Sequence, residues 1–85
     1  MTTHELKIWP QWYEEVASGK KTYEIRKDDR GYKVGDVLVL QEFRHGVGEY
    51  TGRQVVRGIV HISRGDDAES FGLKDGYCVL GLKPW

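Results

Sequence analysis

The opening segment His4-Glu5-Leu6-Lys7-Ile8 alternates polar and apolar side chains, so Leu6 and Ile8 share one face while Glu5 and Lys7 share the other. A period of two marks a half-buried strand. Pro10 then suits the first turn of a helix, where its missing N–H has no partner to lose. Trp9, Trp12, Tyr13, Val16 and Ala17 recur at helical spacing until Ser18-Gly19 ends the run. The pattern predicts a short amphipathic helix directly after the first strand. Alternation resumes from Lys20 to Lys27, with Tyr23 and Ile25 on one side and Thr22, Glu24 and Arg26 on the other, which predicts a second strand.

Asp28 to Gly35 is charged and punctuated by glycine, so it reads as an exposed loop in which Asp29 and Arg30 cap turns or close the barrel and Gly35-Asp36 makes a further turn. The near-continuous apolar run in Asp36–Phe43 predicts a third strand covered on both faces. Gly46, Gly48 and Gly52 mark a hairpin-like connection into a long strand over Arg53–Arg64, with Gly58 as its bulge or bend. Gly65 to Gly76 reads as an acidic loop holding a short helical turn, and Tyr77–Leu82 as the closing strand. Five strands and one main helix bury an apolar face most economically as a small α+β barrel plugged by the helix, a closure that also removes sheet edges. An open sheet covered by the helix is the alternative. A chain of 85 residues is expected to form a single domain over residues 1–85.

The apolar share of 39%, with three Trp, five Tyr and two Phe, supplies enough large side chains for a core. Thirteen basic residues balance thirteen acidic ones, so the molecule as a whole cannot steer a polyanion and any nucleic-acid contact must be local. The charge is polarised along the chain. Lys20 to Lys33 holds six basic residues against three acidic ones, whereas in the last loop Asp66, Asp67, Glu69 and Asp75 oppose only Lys74. A Debye length of about 8 Å keeps the reach of the basic segment short, which favours weak or small-ligand binding. The lone Cys78 lies in an apolar stretch and reads as a buried inert thiol suited to a reducing cytoplasm. His4, His45 and His61 show no paired spacing, so no metal site and no cofactor are expected. His4, Glu5 and Lys7 interrupt the first ten residues where a signal peptide needs an apolar run, so neither secretion nor membrane insertion is expected. No Ser-His-Asp order, paired-cysteine motif or phosphate-cradling glycine loop is present.

Glu24 and Arg26, two apart on one strand, project from the same face, where the carboxylate can orient the guanidinium. A held guanidinium is a rigid fork for phosphate oxygens or a base edge, and the carboxylate adds an acceptor for an exocyclic amine or ribose hydroxyls. Lys21 sits at the helix-to-strand junction, where a break in alternation turns its ammonium toward the other two. Lys7, on the polar face of the first strand, and Trp9, at the start of the helix, border the same cleft, the indole offering a stacking surface. The plainer reading makes the charges an exposed ion-pair row worth about 0–1 kcal/mol per pair. It likewise makes the aromatics a helix-to-barrel contact that accounts for at least two of Trp9, Trp12 and Tyr13. Spacing alone leaves both open.

The stretch Gly19-Lys20-Lys21-Thr22-Tyr23-Glu24-Ile25-Arg26 resembles the pattern Gly-x-Lys-x-x-Glu-x-Arg of the ASCH domains, relatives of the PUA RNA-binding barrels. The likeness extends over nearly the whole chain. His4-x-Leu6-Lys7-Ile8-x-Pro10, Asp29-Arg30, Val34-Gly35-Asp36 and Gly76-Tyr77-x-Val79-Leu80-Gly81 are similar to a compact bacterial and phage subfamily. The resemblance implies a PUA-like β-barrel whose motif residues lie in a cleft beside the helix and bind RNA or a modified nucleoside. It implies Lys21, Glu24 and Arg26 as binding residues, to which the residue reading adds Lys7 and Trp9 at the cleft border, with RNA, a nucleoside or a nucleotide as partner. Some ASCH relatives are amidohydrolases that deacetylate a modified cytidine with the motif lysine, a threonine and a separate glutamate. Here Lys21 holds the lysine position, Glu24 stands where those relatives place the threonine, and the helical segment that supplies their glutamate is missing. Catalysis by Lys21 and Glu24 is therefore the alternative expectation, with Lys21 taking a proton from water and Glu24 passing it to the leaving amine. A third is a protein-binding adaptor acting through the acidic loop around Phe71.

Overall fold

The strict alternation at the start of the chain is realised as strand β1 (Thr3–Ile8), with His4, Leu6 and Ile8 turned inward and Thr3, Glu5 and Lys7 outward. The computed structural model describes residues Met1–Trp85. After β1 come helix α1 (Pro10–Ala17), strands β2 (Tyr23–Lys27), β3 (Val37–Arg44) and β4 (Glu49–Ser63), helix α2 (Gly65–Ser70) and strand β5 (Tyr77–Pro84). Pro10 opens α1 at its first position, as expected of a residue with no N–H to donate, and Tyr13 and Val16 are the buried positions of its inner stripe. The acidic segment after β4 forms one short helix, α2, with no buried residue. No helix is long and apolar enough to cross a membrane.

The strands make one sheet in the order β1-β3-β4-β5-β2, with β1 and β3 parallel and the other neighbours antiparallel. Leu6, Ile8, Leu38, Leu40, Ile59 and Leu80 line its concave side and meet Tyr13 and Val16 of α1, forming one core. Burying each such side chain stabilises the fold by about 1.5–3 kcal/mol. The barrel expected from the pattern is open. β1 and β2 are the two edges of a curled half-barrel and do not pair with each other. Side chains bridge this seam instead: Arg26 Nη2 donates to the Lys7 carbonyl at 2.8 Å and Arg30 Nη1 to the Glu5 carbonyl at 3.3 Å. Edge carbonyls of β1 that a closed ladder would have used thus accept guanidinium protons.

Three further expectations are corrected. β3 is covered fully on one face only, where Leu38, Leu40 and Glu42 are buried while Val39 and Gln41 are half-buried. β4 starts at Glu49, ahead of the expected Arg53, because a bulge opposite Glu42 lets Thr51-Gly52-Arg53 continue the strand with Gly52 at φ +92°. Gly58 is not the bulge. It pairs regularly with Val37 and Lys83, and the register with β5 shifts at Val60.

Two buried carboxylates lock this frame. Asp36 accepts from His4 Nε2 at 2.9 Å and from the backbone N–H groups of Thr2 and Lys33, both at 3.0 Å, tying β1 to the turn before β3. The His4 hydrogen bond, followed by the Thr2 amide, holds its carboxyl at about 2. The Asp36 turn seen in the sequence therefore does more than reverse the chain. Glu42 accepts from Arg53 Nε and Nη2, both at 2.9 Å, and from the Thr51 hydroxyl at 2.6 Å. The Arg53 bonds and then the Thr51 bond hold its carboxyl below the ordinary range. The bulge at Gly52 brings both Thr51 and Arg53 to one carboxylate.

Candidate functional site

Alternation in β2 settles that Glu24 and Arg26 share a face, and tertiary structure settles that this face is the inner one. Glu24 is 3% exposed, while Tyr23 and Ile25 are 43% and 53% exposed. The β2 pattern is thus inverted relative to an ordinary half-buried strand, with charge inside and apolar side chains outside. What allows the inversion is pairing. Lys21 Nζ donates to Glu24 Oε1 and Arg26 Nε to Glu24 Oε2, both at 2.9 Å, so each carboxylate oxygen meets a charged donor.

The strand expected from Lys20 begins only at Tyr23. Gly19 reverses the chain at φ +84°, and the Lys21 N–H still bonds back to the Glu15 carbonyl of α1 at 2.9 Å. Lys21 therefore lies outside the strand's alternation and can turn its ammonium onto Glu24. Its Nζ also stands 5.1 Å from the Trp12 ring and 5.3 Å from the Tyr23 ring, within cation–π range. Arg26 is held twice, by Glu24 and by the Lys7 carbonyl, which leaves its fork rigid.

These groups line a recess of about 470 Å³ along the open seam, between the β1 and β2 edges and the start of α1. Lys7, Trp9, Lys21, Glu24 and Arg26 all border it, so every sequence-predicted site residue reaches one place. Their parts differ from those expected. The Lys7 ammonium stands 4.4 Å above the Phe43 ring, so the group Lys7 offers Arg26 is its backbone carbonyl. Trp9 is not a core residue. It is 49% exposed, and its Nε1 donates to His45 Nε2 at 2.9 Å with ring centroids 5.1 Å apart. Trp12 is likewise 46% exposed, so of the three helix aromatics only Tyr13 makes the apolar contact expected of at least two. Sequence reasoning missed Ile8, Trp12, Tyr23, Ile25 and His45 as lining residues. The helical spacing of Trp12 did not distinguish it from a core position.

Backbone polarity adds to the side chains. The Leu82 N–H bonds to the Thr22 carbonyl, in register with the β2–β5 ladder. Antiparallel alternation then points the main-chain groups of Glu24 and Arg26 toward β5 and those of Tyr23 and Ile25 toward the open edge. The recess accordingly combines aromatic faces, a carboxylate, three cations and unpaired strand-edge amides. Phe71, just after α2, is fully solvated and lies outside it.

The chain belongs to a family described as a domain of unknown function (DUF3850), matched over residues 3–82. It is also 42% identical over 60 residues to the "uncharacterized 12.9 kDa protein in GpA 3′ region" of Escherichia phage P2. That alignment takes in 71% of this chain and 53% of the phage protein, so the chain spans about half the length of this relative.

Proposed function

We propose that the seam recess binds RNA or a nucleotide-sized ligand, and that the half-barrel is of the PUA-like, ASCH-type kind its motif resembles. The observation that carries this reading is the inward turn of Glu24, a carboxylate clamped between Lys21 and Arg26 at a recess whose aromatic walls stay half exposed. A strand shaped by stability alone would bury Tyr23 and Ile25 and leave Glu24 in water. Perturbed placement of charge in a concavity is the usual mark of a site.

The chemistry fits a nucleotide. Glu24 can take hydrogen bonds from an exocyclic amine, and the edge amides of Tyr23 and Ile25 offer donors and acceptors in the plane of a base. Trp12 and Trp9 present faces for stacking, worth about 1–3 kcal/mol per base. Lys7, Lys21 and Arg26 against Glu24 leave an excess of two positive charges around the recess, which favours a phosphate. The direct contact between Lys21 and Glu24 at 2.9 Å is also the one feature that favours the hydrolytic alternative, since it offers a proton path.

The test is titration with short single-stranded RNA and with ribonucleoside monophosphates at several salt concentrations, for wild type, Arg26→Ala and Glu24→Ala, with folding checked by circular dichroism. Binding that weakens with salt and falls by about tenfold or more in folded variants supports the proposal. Absence of binding, or binding indifferent to both substitutions, overturns it. Acetate release from acetylated cytidine, abolished by Lys21→Ala, would make the site an amidohydrolase.

A further inference from the structure

A second hollow, of about 400 Å³, adjoins the recess and is lined by Trp9, Pro10, Gln11, Arg44, His45 and Gly46. Trp9 and His45 line both concavities, so the two are neighbours divided by a single wall. That wall is braced. The indole-to-imidazole hydrogen bond joins its halves, and the Phe43 ring packs edge-on against His45 at 5.1 Å.

Arg44 distinguishes this hollow from ordinary surface. Arg26, Arg30, Arg53, Arg57 and Arg64 each donate side-chain hydrogen bonds to acceptors within the molecule. The Arg44 guanidinium alone among the arginines makes neither a hydrogen bond nor an ion pair, and it is exposed at the end of β3. An unpartnered guanidinium beside an aromatic pair is suited to a phosphate flanked by a base or sugar.

We infer that the second hollow is the subsite for the adjoining nucleotide of a single strand, with Arg44 taking its phosphate and the Trp9–His45 wall supporting its base or sugar. The ligand is then at least a dinucleotide step, and a mononucleotide fills only half of the site. This inference rests on the nucleotide reading of the recess.

The experiment compares the four ribonucleoside 5′-monophosphates with the 5′-phosphorylated homodinucleotides pApA, pCpC, pGpG and pUpU by calorimetric titration at fixed salt. Wild type, Arg44→Gln and Lys83→Gln are used, the last removing equal charge from a residue lining neither hollow. For the base the recess accepts, the dinucleotide is expected to bind about tenfold tighter than the monophosphate. Arg44→Gln should remove most of that gain while leaving monophosphate affinity within about twofold, and Lys83→Gln should leave both unchanged. A dinucleotide no tighter than its monophosphate overturns the inference and leaves the recess proposal standing. So does an Arg44→Gln variant that loses nothing, that weakens both probes alike, or that is matched by Lys83→Gln. Absence of binding by every probe overturns both.

Discussion

Replacing Glu24 by glutamine keeps the side chain's shape and removes its charge, which isolates the electrostatics of the recess. Each carboxylate oxygen receives one charged donor at 2.9 Å. The carboxylate side chain is 4% exposed, against 17% for Lys21 and 22% for Arg26. At such a separation and an effective dielectric constant of about 20, one ion pair attracts by about 6 kcal/mol, and the several kcal/mol needed to desolvate the carboxylate offset much of that. The amide left by the substitution can accept from one cation, while its NH₂ group faces the other with nothing to offer. Removing one partner from a fully buried pair costs about 3–5 kcal/mol, and because both cations keep a path to water the cost here falls to about 2–3 kcal/mol. For a chain of this size that corresponds to a drop of roughly 10–20 °C in Tm. Thermal unfolding followed by circular dichroism, at low salt and at about 0.5 M NaCl, measures it. The gap should narrow in salt, which screens the repulsion between Lys21 and Arg26. A low-salt Tm within about 3 °C of wild type would refute the reasoning, because the carboxylate would then not be what holds the two cations together.

Asp36 has its folded pKa lowered to about 2, below the 3.8 of an unperturbed carboxyl, so between these values the unfolded chain binds more protons. The stability it contributes is therefore complete above about pH 4 and is lost as pH falls toward 2; Asp36→Asn should lower stability at neutral pH and flatten that acid slope in urea titrations. Arg53→Ala strips both guanidinium bonds from buried Glu42, so the Glu42 carboxyl should titrate at higher pH in the variant, as read by carboxyl NMR shifts. Burial pushes the Cys78 thiol up, so alkylation by iodoacetamide at neutral pH should be slow in the native protein and fast in denaturant.

Much of the architecture is legible because local chemistry and tertiary context agree. The alternation of His4–Ile8 becomes the buried and exposed faces of β1, and Pro10 and Ser18-Gly19 bound α1 where their backbone chemistry requires. Where they part, the reasons are long-range. The bulge that carries β4 back to Glu49 exists because Thr51 and Arg53 converge on Glu42, nine and eleven residues away, and no window around Gly52 contains that carboxylate's need for partners. The seam is similar. Whether β1 and β2 pair or stand apart depends on Arg26 and Arg30 reaching carbonyls nineteen and twenty-five residues distant, and alternation within either strand is the same in both cases.

The site was half legible for a related reason. A period of two sorts side chains into two sets without saying which set faces inward. For β1 hydrophobicity decides, since one set is mostly apolar and the other polar. For β2 it decides wrongly: Tyr23 and Ile25 form the more apolar set, yet Glu24 and Arg26 are turned in. The deciding term is the completeness of pairing around Glu24, which requires Lys21 to leave the strand's alternation, Gly19 to permit that departure and the Lys7 carbonyl to complete Arg26. Those conditions come from the helix end, the preceding turn and the opposite sheet edge. Exposed Tyr23 and Ile25 on β2 and the half-exposed Trp9 and Trp12 gather along this seam, where the buried Glu24 and its two cations border a cavity. Local rules fail together there, and the proposed ligand, by completing the recess, would account for both failures at once.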